Sequence, residues 1–242
     1  MQNKPPFTIK RYADVSTQEP FVARIGLGLS DVLDGTELPN KQEIKEELMS
    51  GVLFGSLVPA FGSLKELRAL TGRSDVAEIT QIKNFDDMYR HLWAAYKDRM
   101  QKVMALMGFD IGFAFTDEKS FVRGCEQFRA KHPGVDAALL DMLAVDRATW
   151  QSQLAKFRNK YLEHQSLRRE YVADLYTLDK AEIAFHNVWE AIEDILAILA
   201  ASKLYPGVQL VEIPEATRNP QCPKRFGFAW AGPPPLATQQ TS

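Results

Sequence analysis

Cysteine is scarce: Cys125 and Cys222 stand far apart in 242 residues and in no ligand spacing. A secreted chain of this size usually carries more of them, in pairs, so a reducing compartment is the expectation. Excess charge is also missing. The 29 Lys and Arg and 31 Asp and Glu leave a net charge of −2, which excludes broad basic binding of nucleic acid and leaves only a local contact. Met1 to Lys10 is polar and contains prolines, without the apolar centre of a signal peptide. The apolar stretch Ile192 to Ala201 is well short of the ~20 residues that span a bilayer. These features predict a cytoplasmic protein with no membrane partner. Several chemical signatures are absent as well. There is no P-loop, no nucleophile elbow, and no dinucleotide spacing after Gly26-Leu27-Gly28. No cofactor and no metal is expected.

What is present is apolar material for a sizeable core, 45% of the residues, in helical periodicity. The expected fold is all-α, a helical bundle with an extended N-terminal arm and an irregular C-terminal tail. Residues 1–40 read as the arm and a short helix, 41–204 as the bundle, and 205–242 as the tail. Asn40 is a plausible N-cap for a helix from Lys41, and Pro59 should break or kink that helix. Further helices are predicted over Asp86 to Met107, Asp117 to Lys131, Asp146 to Leu167 and Asp179 to Leu204. Met100, Met104 and Met107 fall near one helix side and suit core packing. In the tail, Val208 to Ile213 alternates like a strand, and Arg225 to Trp230 reads as a second one. Phe226, Phe228 and Trp230 are suited either to stacking on bases or to pinning the tail, and pinning is the commoner use.

One segment stands out: Phe157-Arg158-Asn159-Lys160-Tyr161-Leu162-Glu163-His164. On a helical wheel Leu154, Phe157 and Tyr161 form an apolar stripe, with Arg158 on one flank and His164 on the other. Asn159 points further round. Lys156, Arg158, Lys160, Arg168 and Arg169 outnumber Glu163 and Glu170 here, a local basic excess that suits a short phosphate contact or an ordinary solvated face.

Arg158-Asn159 followed by His164 resembles the R-x(4–6)-H motif of HEPN domains, and the wording of the segment is most similar to the AbiU-type abortive-infection branch. The resemblance covers about residues 84–204 and is sharp over 157–164. It departs at Glu163, where that branch usually has a small residue. The resemblance implies an up-and-down helical core, a homodimer, and a metal-independent endoribonuclease site shared between protomers. It further implies a toxin or phage-defence role, an RNA substrate, and an antitoxin or inhibitor protein as partner. Other HEPN members are non-catalytic modules that bind a partner protein or a nucleotide, and that alternative stays open.

The chemistry suits the residues. Metal-free RNA cleavage needs a proton acceptor for the 2′-hydroxyl and a donor for the leaving oxygen, and an imidazole serves either role near neutrality. It also needs a fixed cation, and guanidinium binds phosphate in bidentate fashion. In this reading His164 is the acid/base group, Arg158 the phosphate clamp, and Asn159 the group that orients them. The plainer reading makes His164 a helix-face histidine bonded to a carboxylate and Arg158 a surface arginine. On the last helix, Glu182, His186, Glu190, Glu193 and Asp194 are expected to form a solvated acidic face rather than a metal site, since Ile183, Val188, Ile192, Ile195 and Leu199 supply the buried side.

Overall fold

The computed structural model describes residues 19–71, 78–156 and 176–232. They are mostly helical, with one small sheet. The described chain enters through wide π-helical turns at Val22–Gly28 and continues into α1 (Leu29–Asp34). Gly26 does not weaken this helix. A Cβ there would stand 2.8 Å from the Met49 sulfur, so the missing side chain is what lets the next helix come close.

That next helix is a single rod, Lys41–Leu70. It comprises α2 (Lys41–Glu46), π-helical turns at Glu47–Leu57, and α3 (Val58–Leu70). The break expected at Pro59 does not occur. The proline sits in the first turn of α3, directly after the widened turns, where its lost N–H and its ring are tolerated. By length and composition this rod is the one helix among the described residues apolar enough to cross a membrane. It exceeds in this respect Ile192 to Ala201, the stretch singled out above. Its apolar residues are used in the core: Ile44, Leu48, Val52, Leu53 and Leu57 have no exposed surface.

The third layer is another continuous run, 78–106, made of α4 (Glu78–Trp93), π-helical turns at Ala94–Arg99, and α5 (Met100–Leu106). It begins ahead of the expected Asp86, and α4 packs along α3. Met88, Leu92, Met100, Val103 and Met104 are all fully buried, as their spacing requires. Gly108, at φ 86°, ends the run. A 3₁₀ turn, Gly112–Phe115, leads to α6 (Glu118–Lys131). The Asp117 carboxylate caps α6 by accepting from the Ser120 N–H at 3.1 Å. Gly124 of α6 lies against the Phe113 ring, where even a methyl group would collide.

The run 138–156 follows: α7 (Ala138–Asp146), π-helical turns at Arg147–Gln151, and α8 (Ser152–Lys156). It starts earlier than Asp146, because Leu139, Leu140 and Leu143 already form a buried stripe. Its expected continuation to Leu167 lies outside the described residues. α9 (Leu178–Ala201) is the longest α-helical segment, capped by the Thr177 hydroxyl. Val188, Ile192, Ile195 and Leu199 run down its buried side without exposed surface.

The described tail is irregular chain apart from a 3₁₀ turn and one short strand pair. β1 (Val208–Glu212) and β2 (Phe226–Trp230) form an antiparallel pair, with Val208 opposite Trp230 and Glu212 opposite Phe226. β2 lies on α1, with the Phe228 ring and Val208 both close to Gly35. The strand alternation in the sequence therefore marks a real hairpin, and its aromatic residues pin it to the helices.

Candidate functional site

The HEPN-like motif, with Arg158, Asn159 and His164, lies outside the described residues. Its two flanks are described. On one side α8, described as far as Lys156, packs on α4. On the other, the chain resumes at Tyr176, which is also held on α4. The Tyr176 ring meets Phe85 edge-on at 5.3 Å, and its hydroxyl donates to the Asp86 carboxylate at 2.6 Å. Burial pushes the Asp86 carboxyl above its ordinary range, against the pull of the Tyr176 hydrogen bond. The described residues on either side of the motif thus both contact α4.

α9 carries the second feature. The solvated acidic face expected there forms at Glu182, His186 and Glu190 but not at Glu193. Glu193 has no exposed surface. Arg24 closes on it with one guanidinium edge, its Nε donating to Oε1 at 3.2 Å and its Nη2 to Oε2. The same guanidinium lies 4.4 Å over the Trp189 ring. Asp194 accepts from Arg225 Nη1 at 2.7 Å, and Arg225 also reaches Glu212 at 3.1 Å. Burial is the largest influence on both Glu193 and Asp194 and raises each carboxyl, while the two arginines oppose it. One further acid lies near Asp194. Asp146, at the end of α7, accepts from Trp150 Nε1 at 3.1 Å, and burial together with the nearby Asp194 charge pushes it up to about 6.

Outside that cluster the acidic face is exposed and paired along the helix. His186 Nε2 sits 3.2 Å from Glu190, and its Nδ1 accepts from Trp189 Nε1 at 3.3 Å. Both ring nitrogens are therefore engaged. Glu182 pairs with Arg68 across the gap to α3 at 2.7 Å. Ile183, expected on the buried side, is 54% exposed, since the helix turns that flank toward an open groove of about 580 Å³. Phe21, Phe61 and Phe185 form the groove's aromatic floor, with ring centroids 5.2 to 5.4 Å apart. Among the described residues no group of three or more His, Cys, Asp or Glu is placed to share a metal ion.

No protein-family model, curated protein or solved structure matches the chain. The site is therefore read from its own residues. Arg24, Asp146 and Arg225 are not singled out by sequence reasoning. One signal for them was present. Glu193 lies about 40° from Trp189 on the α9 wheel, inside the apolar stripe, and a charge there demands a buried partner. The sequence names no partner, because Arg24 is 169 positions away.

Proposed function

We propose that the chain is a HEPN-like, metal-independent endoribonuclease acting as a homodimer, with Arg158, Asn159 and His164 as its site. The observation that carries this reading is the motif itself, set in the sequence between α8 and the last long helix, α9. A mostly helical fold suits it, and so does the contact of both described flanks with α4. In this mechanism one His164 takes the proton from an RNA 2′-hydroxyl. The 2′-oxygen then attacks phosphorus as the bond to the 5′-oxygen breaks. The partner copy's imidazole protonates the departing oxygen, leaving a 2′,3′-cyclic phosphate and a 5′-hydroxyl. Arg158 neutralises charge growing on the phosphate oxygens. A role as a toxin or phage-defence effector, restrained by an antitoxin protein, belongs to the same proposal.

The test is cleavage of total RNA in EDTA by purified protein, beside His164→Ala. Wild type should cleave and leave cyclic phosphate ends, and the variant should not. Cleavage by both proteins, or by neither, overturns the assignment. A second reading, a non-catalytic module that binds a partner protein, is favoured by the aromatic groove between α3 and α9. Under that reading neither protein cleaves, and Ile183→Asp abolishes partner capture.

A further inference from the structure

The buried charge cluster holds more acids than bases. Glu193 and Asp194 share two guanidinium groups, Arg24 and Arg225, and Asp146 lies within reach of the Asp194 charge. Both guanidinium groups are committed elsewhere. Arg24 is bound to Glu193, while Arg225 bonds Asp194 at 2.7 Å, stands 3.6 Å from Glu193, and reaches Glu212. Asp146 is left with neutral partners. Its Oδ1 accepts from Trp150, and its Oδ2 is buried without a hydrogen-bond partner. The neighbouring Tyr96 hydroxyl, on a residue only 1% exposed, also has none.

Two groups from other elements lie by Asp146: Tyr96, from the turns between α4 and α5, and Asp194 of α9. Asp194 in turn is faced by Arg24, Glu190, Glu212 and Arg225. On its own run, Arg147 is turned away, its Nε 3.1 Å from Glu118. An ionised Asp146 would thus put a further negative charge near Asp194, on a half-buried side chain with one oxygen unsatisfied. A proton on Asp146 removes the charge and turns that oxygen into a donor.

We propose that Asp146 is a proton-held latch: protonated, it keeps the run 138–156 docked on α9, and loss of the proton loosens that dock. The latch sits at the junction where α7 passes into π-helical turns. Loosening there changes the footing of Ser152–Lys156. The proposal does not depend on the ribonuclease reading. It stands or falls without any RNA being cleaved.

The experiment is amide hydrogen exchange of the full chain at pH 5.0 and 7.5, corrected for the intrinsic chemical rate. A docked-state carboxyl at about 6 against an ordinary one when undocked makes opening of 138–156 about tenfold more frequent at the higher pH. Asp146→Asn should hold the same protection at both. Equal opening of wild type at the two pH values overturns the latch, and so does an Asp146→Asn chain that follows the wild-type pH dependence. If that variant does not fold, carboxyl-carbon NMR of wild type decides the matter. A titration midpoint for Asp146 near 6 supports the latch, and one in the ordinary aspartate range overturns it.

Discussion

Arg24 shows how one side chain can answer several demands. Its guanidinium satisfies both oxygens of the fully buried Glu193 and also covers the face of Trp189. Truncating it strands a carboxylate in the core. Arg24→Met should therefore cost about 3–5 kcal/mol, read as a fall in denaturation midpoint at unchanged slope. Replacing both partners, Arg24→Met with Glu193→Leu, should recover most of the loss, because no charge remains to be desolvated. If the double variant is as unstable as the single one, the packing of the arginine on Trp189 and not the ion pair is what matters. At this scale the sequence was legible where residues act with their neighbours. The buried methionines lie where local spacing places them, whereas Asn40 heads its helix without a side-chain cap bond and donates instead to the Leu106 carbonyl at 2.8 Å. Pairs far apart in the chain, such as Arg24 with Glu193, leave no local trace.

At the scale of elements, helices were legible from periodicity, and their ends were less so. The Lys41–Leu70 rod passes Pro59 because its turns widen just before the proline, and no propensity rule anticipates that accommodation. The hairpin is the converse case. Two short alternating stretches were enough to place β1 and β2 within a residue or so, although a proline-rich composition argued for irregular chain. Arg225 ties this hairpin to α9 through Asp194 and binds Glu212 across the ladder. Arg225→Ala should release the hairpin before the helices melt. Amide exchange over 208–230 should rise by at least about tenfold, the equivalent of a lost charge-assisted hydrogen bond. Unchanged protection there would mean that the aromatic contacts of β2 with α1 hold the strands unaided. The motif at 158–164 was legible as wording alone, and its geometry lies outside the described residues.

For the whole molecule, buried acids decide how stability depends on pH. The carboxyl of Asp146 lies at about 6 in the folded chain and at its ordinary, lower value when unfolded. A raised carboxyl favours the folded state below the unfolded pKa, and that contribution is lost as pH rises through the folded one. Asp86, Glu193 and Asp194 shift in the same direction. His91 and His132 are held below their ordinary value, mainly by burial, and oppose the trend as pH falls below the normal histidine range. Removing one acid isolates its share. Asp146→Asn should be more stable than wild type at pH 7.5 by about 1–2 kcal/mol, allowing for solvent screening. The difference should shrink by about 1 kcal/mol at pH 5. Chemical denaturation at the two pH values measures both. A variant less stable than wild type at pH 7.5 would show that the Trp150 hydrogen bond needs the carboxylate.

The Arg24–Glu193 pair also imposes a timetable on synthesis. Arg24 is made 169 residues before its partner. At ordinary elongation speeds that interval is roughly ten to thirty seconds. Through all of it Arg24 lacks the carboxylate that it binds and the Trp189 ring that it covers. The Lys41–Leu70 rod, already complete, exposes the apolar side that α9 will later help to cover. The nascent chain is therefore a natural client for holding chaperones until α9 emerges, and the first and last parts of the described fold are completed together.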